Sequence, residues 1–481
     1  MDVEIDTTQG REKAMGKPAV KDKEGSNVFA WFHATSVNGG AMVMAAAISS
    51  FFSVYMTDTL KIPAAVASAI MLIASLWDAI NDPMMGVIAD RTHTRHGRYR
   101  PYFIAAPILV TFFASMIWID WGLSPTAKAV YTLIMYIGYG MTVTMYTMPQ
   151  MAILPAVVRD NNRRNVIVTM GAGCMAAAFT IGNTFTPQIT GFFRSHGMNI
   201  GNGYVPFMVI CGILACISFW GLYKVTDGKE KYLQPIDKSE SPLKNLGVTL
   251  KHKEIIPNII AWVMASLGYG LMFATSVYYM MYYYMRPDLI AIYMGVVSVG
   301  ALVSMVVFMP IFLKIFKTGQ RAIMASQIIA MAFYIFLFFF GRTNFVVTCI
   351  FTFLATAAAS MQNGLVNILV NDYIDFIRYK EGKSVNGIVS SIKGFAQKCG
   401  NTISNSGILA ALALSGYVAG KIGGQNAATL FTLNALKFLA PCVTGVILII
   451  CVAFNPVSKY SKEIEQMKED MKGLSKEQQD E

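Results

Sequence analysis

The feature that most constrains this chain is a recurrence: twelve predominantly apolar runs of about 20 to 28 residues, centred near residues 43, 76, 112, 142, 178, 215, 270, 301, 331, 358, 402 and 440. An α-helix rises about 1.5 Å per residue, so each run is long enough to cross a hydrocarbon core of roughly 30 Å. Lipid offers the backbone no hydrogen-bond partner, and a run of this length satisfies its own peptide groups only as a helix. The expected fold class is therefore an all-α membrane protein of twelve transmembrane helices. Composition agrees, with 14% charged residues against roughly 25% in water-soluble domains.

The basic residues orient the helices. Of 39 Lys and Arg, 30 fall in the two tails and the five even-numbered connections. Each odd-numbered connection holds one: Lys61, Lys128, Arg194, Arg286, Arg342 and Lys421. Basic residues concentrate on cytoplasmic loops, so both termini are expected in the cytoplasm of a multi-pass inner-membrane protein. The same distribution sets aside nucleic acid as the partner of the +11 net charge. The remaining three lysines, Lys393, Lys398 and Lys437, fall within apolar runs. The first run begins near Val28 after a charged tail, too late and too long for a cleaved signal peptide, and reads as the first span. All seven cysteines lie in apolar runs without metal spacing and are expected to be inert packing residues.

A polar break between the sixth and seventh runs divides the chain. The expected organisation is a tail over 1–27, a six-helix bundle over 28–226, a cytoplasmic linker over 227–256, a second bundle over 257–454 and a tail over 455–481. The halves echo each other weakly, with "MPIFLKIFKTGQR" after span eight in the place of "DPMMGVIADRTHTR" after span two. Paired repeats around a midplane cavity are a common plan of secondary transporters.

Within span two, "SLWDAINDPMMG" carries Asp78 and Asp82, four residues apart and so on one helix face. An ionised carboxylate at that depth costs on the order of 3 kcal/mol. Three partners offset such a cost: a bound cation, a shared proton, or a lysine from a facing helix. Two carboxylates, the Asn81 amide oxygen and a hydroxyl from Thr142, Thr144 or Thr147 supply the hard oxygens an alkali cation prefers. Lys398 in span eleven is the expected protein partner, displaced when a cation arrives. Pro83 lacks an N–H and is expected to free a carbonyl one turn earlier. Beyond the acids, Gly86, Asp90, Arg91 and Arg95 follow a G-x-x-x-D-R-x-x-x-R spacing, expected to bring helices close at Gly86 and to form a breakable inner latch.

That spacing resembles the loop signature of major facilitator transporters. "WDAINDPMMGVIADRTHTRHGRYRPY" in turn resembles the span-two signature of the glycoside-pentoside-hexuronide cation symporters, and the resemblance runs from about Phe29 to Phe454. "VNDYIDFIRYKEGKSVNG" from Val370 is similar to the family's second signature, with Gly382 and Lys383 in place of Gly-Arg and Asn386 where an acid is common. The resemblance implies two six-helix bundles of the major facilitator fold, a cation site at Asp78, Asn81, Asp82 and Thr144, a coupling lysine at Lys398, and an inner gate that includes Asp372 and Asp375. At the positions where sugar carriers of the family hold their solute, this chain has Met42, Thr147, Ala172, Asn363 and Lys393. Methionines (Met42, Met145, Met148, Met151), tyrosines (Tyr146, Tyr278, Tyr279, Tyr282, Tyr283) and Gln150 are what the neighbourhood offers in their place, although Met and Tyr at helical spacing are more often packing residues or interface anchors.

The expected function is cation-coupled symport, by Na⁺ or H⁺, of a sugar, glycoside or hexuronide-type solute by a monomer that needs no other cofactor. A non-sugar organic anion bound at Lys393, a bulky amphipathic solute, or uniport and exchange on the same fold are the alternatives. No zinc motif, nucleophile elbow or phosphate loop supports an enzyme.

Overall fold

A computed structural model of the chain describes residues 26–92, 94–158, 160–229, 249, 251–381, 386–460, 463, 464, 466 and 467. Most of both tails and of the linker, and the Gly382–Lys383 pair, lie outside the described residues. Twelve helical segments follow one another at the expected positions. They are Asn27–Thr59, Ala64–Arg91, Tyr102–Met116, Pro125–Val157, Asn161–Ser195 and Tyr204–Val225, then Ile255–Tyr283, Pro287–Phe316, Gly319–Phe340, Phe345–Glu381, Asn386–Leu414 and Ala427–Ala453. Among the described residues, nine are both long and apolar enough to cross a membrane. Of the others, the third is short, while the fourth and eleventh carry the threonines and lysines of the candidate site. Large apolar side chains such as Leu76, Ile80, Phe339 and Phe431 stand exposed along the helices, as a lipid-facing surface requires.

The first span breaks at Gly39, whose ψ of −120° separates Asn27–Asn38 from Gly40–Val54. Gly40 is needed for packing, since a Cβ there would stand 2.2 Å from the Cys211 carbonyl oxygen of the sixth span. The second span runs as one unbroken α-helix past Pro83. All seven cysteines are unpaired, with Cys211 and Cys442 buried.

Each bundle is tied internally at the end bearing the even-numbered connections. Arg100 reaches Asp227 at 2.6 Å, bonds the Tyr223 carbonyl and lies 4.4 Å over the Tyr223 ring. In the second bundle His252 meets Glu381 at 2.8 Å. Between bundles, spans two and eleven, five and eight, and one and seven pack together.

An internal repeat much closer than the expected echo marks the odd-connection end. "YMTDTLKIP" (55–63) and "YMMYYYMRP" (279–287) each end a span in a five-residue π-helical turn, Tyr55–Thr59 and Tyr279–Tyr283. Leu60 N–H bonds the Tyr55 carbonyl at 3.0 Å and Tyr284 N–H that of Tyr279 at 2.8 Å. Ile62 bonds Met56 and Arg286 bonds Met280, both at 3.0 Å. Lys61 and Met285 then take φ of 56° and 61°, followed by Pro63 and Pro287. The same backbone device thus closes spans one and seven.

Candidate functional site

The second, fourth and eleventh spans converge on Asp82. Thr144 donates its hydroxyl to Asp82 Oδ1 at 2.9 Å, and Lys398 Nζ donates to Asp82 Oδ2. Thr144 is 4% exposed, so its hydroxyl points into protein rather than lipid. Thr142 and Thr147, the other two hydroxyls of the fourth span, bond their own helix at Gly138 and Val143. Lys398 belongs to the second bundle and Asp82 to the first, so one charge-assisted contact joins the two halves at this site.

Asn81 is fully buried, and neither its amide oxygen nor its amide nitrogen has a partner among the described residues. A buried amide without partners costs about 1–3 kcal/mol, a cost that a ligand bound at the site would offset. Asp78, one turn before Asp82, is half-buried against the fourth span. Its fit depends on a residue that sequence reasoning missed: a Cβ at Gly140 would stand 2.5 Å from Asp78 Oδ1. The only sequence signal was the small residue beside Tyr139 in "IGYGMT". Gly140→Ala is expected to push the Asp78 carboxylate aside and weaken cation binding by roughly five- to a hundredfold, the scale of overpacking by about 1–3 kcal/mol. Na⁺-dependent thermal stabilisation of the purified variant checks this; an unchanged Na⁺ dependence would show that Asp78 has room to move.

The three lysines left inside spans resolve differently. Lys398 takes Asp82. Lys393 donates to the Asn367 amide oxygen at 2.7 Å. Lys437, 1% exposed, donates to the Met272 carbonyl at 2.8 Å and Ser276 Oγ at 2.6 Å, which ties the twelfth span to the seventh. Asn367 was legible as the middle of an asparagine stripe at positions 363, 367 and 371, which lie on one helix face.

Several expected solute contacts are placed elsewhere. Gln150 is 7% exposed and taken up by His33: its side-chain amide donates to the His33 backbone carbonyl at 3.0 Å, while its backbone carbonyl oxygen meets His33 Nε2 at 3.1 Å. It clamps the first span to the fourth. Tyr278, Tyr279 and Tyr282 are fully buried and Tyr146 is 2% exposed, packing against Phe219, so these tyrosines fill core rather than line a pocket. Met42, Thr147 and Asn363 are half-buried and Ala172 is exposed. A cavity of about 460 Å³ lies away from all of them, at the odd-connection end, with Tyr55, Asp58, Gln188, Arg194, Tyr204 and Asp288 in its wall.

The proposed latch also changes. A Cβ at Gly86 would meet nothing within 4 Å among the described residues, so none of these brings a helix close there. Arg95 is exposed and donates to the ring of its neighbour His96 at 3.0 Å. Arg91 is exposed at the end of span two, and Asp372 and Asp375 are half-buried near the end of span ten. The Asp90 side chain lies outside the described residues.

Two helical bundles in a lipid-facing sheath, with their polar contacts turned toward each other, define a membrane carrier. The sequence model described as MFS/sugar transport protein matches residues 36–459, and the chain belongs to that family. It is therefore a major facilitator transporter and not an enzyme. The uncharacterized symporter YjmB of Bacillus subtilis (strain 168) is 26% identical over 412 residues, covering 83% of this chain and 86% of that protein. A putative sulfoquinovose importer of Salmonella typhimurium is 25% identical over 410 residues, covering 83% of each. The crystal structure of the nucleoside transporter NupG superposes with a TM-score of 0.59 at 13% identity, over 89% of this chain and 98% of that one, which speaks for the fold alone.

Proposed function

We propose that the chain is a secondary active symporter, coupling movement of a sugar, glycoside or hexuronide-type solute across the cytoplasmic membrane to Na⁺ or H⁺. The observation that carries this reading is the grip on Asp82 by Thr144 of its own bundle and Lys398 of the other. In the empty carrier the lysine neutralises the acid. A cation arriving among Asp78, Asn81, Asp82 and Thr144 replaces the lysine and changes what joins the bundles. The protein works as a monomer with both termini in the cytoplasm, and the cation is cargo rather than a resident cofactor. Thermal shifts across a solute panel, with and without Na⁺ and across pH, test the reading. Coupled sites stabilise reciprocally, so a solute that tightens Na⁺ binding must itself be bound more tightly with Na⁺; a bound solute indifferent to both cations would remove the coupling.

An anionic solute is a second reading, favoured by Lys393, whose ammonium donates to the neutral Asn367 amide oxygen and aligns with a solute position of the family it resembles. The similarity to a putative sulfoquinovose importer supports it. Lys393→Ala is expected to reduce uptake of an anionic sugar roughly ten- to a hundredfold relative to a neutral one, the scale of one hydrogen bond to a charged group. Competition assays in vesicles measure this, and unchanged discrimination would remove the lysine's role.

A further inference from the structure

We infer that Asp58 is the latch of a gate at the odd-connection end, a positioning residue for transport that sets how often this end opens. The inference rests on the transporter reading above and on a cluster around Asp58, which lies twenty residues before Asp78 in the chain. Asp58 ends the first span inside the π-helical turn, and the residue in the equivalent place of the repeat is Tyr282. These two repeat-related residues meet: the Tyr282 hydroxyl donates to Asp58 Oδ1. The Gly420 N–H donates to the same oxygen at 2.7 Å, and the Tyr417 hydroxyl donates to Oδ2 at 2.8 Å. Thr57, beside it, lies 3.2 Å from the Tyr278 hydroxyl. One carboxylate of the first bundle thus gathers three donors from the second.

The arrangement has the properties of a latch. Thr57 Oγ1 of the same bundle also donates to Oδ2 at 2.7 Å. The other three donors come from the seventh span and from the connection between spans eleven and twelve, so separation of the bundles at this end must break those three contacts together. Hydrogen bonds to an ionised acceptor are about twice as strong as neutral ones, yet they are hydroxyl and amide contacts that water can replace when the end opens. Asp58 also lines the cavity at this end of the molecule. π-helical turns are concentrated at functional sites, and here two of them present the two halves of one contact. The backbone is committed as well: Gly420 takes φ of +75° to aim its N–H, and a Cβ there would stand 3.1 Å from Lys61 Nζ.

Distances between spin labels test the latch in the full-length chain in lipid nanodiscs. One pair, Lys61→Cys with Lys421→Cys, reports the odd-connection end; another, Arg95→Cys with Arg378→Cys, reports the opposite end. Native cysteines are replaced in both backgrounds. Asp58→Ala is expected to raise the ratio of long to short distances at the odd-connection end about ten- to a hundredfold, the scale of losing a hydrogen bond to a charged group. Tyr282→Phe with Tyr417→Phe keeps both rings while removing two of the three donors from the second bundle, and is expected to move the ratio the same way. Distances unchanged in both variants overturn the latch, whatever their uptake, while leaving the transport reading on its own evidence. Separation at the odd-connection end without approach at the other upholds the latch and contradicts alternating access instead.

Discussion

Asp82→Asn is expected to abolish concentrative uptake while the protein still folds and inserts. Asn preserves the side-chain volume and can still accept from Thr144 Oγ1, which now stands 2.9 Å from Asp82 Oδ1, but it removes the charge that Lys398 and a cation would share. Removing one partner of a hydrogen-bonded charge pair costs about 2–5 kcal/mol, so cation affinity is expected to fall from roughly thirtyfold to several thousandfold. Insertion should improve if anything, because a neutral amide in the span is less costly than a carboxylate. Flux measured with an imposed Na⁺ or proton gradient, with the amount of inserted protein as control, reads the effect. Accumulation at the parent level would mean that Asp82 does not carry the coupling. Asp78→Asn is expected to act in the same direction.

Lys398→Gln separates two steps that Asp82→Asn removes together. Lys398 Nζ donates to Asp82 Oδ2, and under the proposed coupling it is the counter-charge of Asp82 when no cation is bound. Without it, the empty site would return across the membrane with Asp82 unpaired, whereas in the cation-loaded site the cation takes the lysine's place. Net uptake is therefore expected to fall by roughly thirtyfold or more, on the same scale of 2–5 kcal/mol for an unpaired charge. Exchange of solute with Na⁺ held equal on both sides is expected to persist, because the loaded carrier never passes through the empty state. Na⁺ binding itself should hold or tighten, since its competitor is gone. Loss of exchange together with net uptake would instead assign the lysine to the solute site or to folding.

The helices were legible because lipid imposes a length and a polarity on each of them, and those two quantities are written in the sequence. Asp78, Asp82 and Lys398 were legible for the same reason: a charge inside an apolar run is conspicuous, and it needs a partner. What could not be read was rotation and approach. Gly140 matters because the fourth span brings its backbone against Asp78, a fact of packing that no local pattern carries. Gln150 lies among plausible pocket residues in sequence but turns toward His33. Tyr278, Tyr279 and Tyr282 of span seven could in sequence have packed or lined a pocket, and they are core and closure. The repeat that places Asp58 opposite Tyr282 shares three side chains of nine, Tyr, Met and Pro; its likeness lies in the backbone, which the residues alone do not display.

Coupling is the central claim, and proteoliposomes containing only this protein test it most directly. With an inward Na⁺ or proton gradient as the sole energy source, a solute selected by thermal shift is expected to accumulate above its external concentration, and to leak back when an ionophore collapses that gradient. Equilibration to the external concentration, unaltered by either gradient, would contradict the account and identify the carrier as a uniporter.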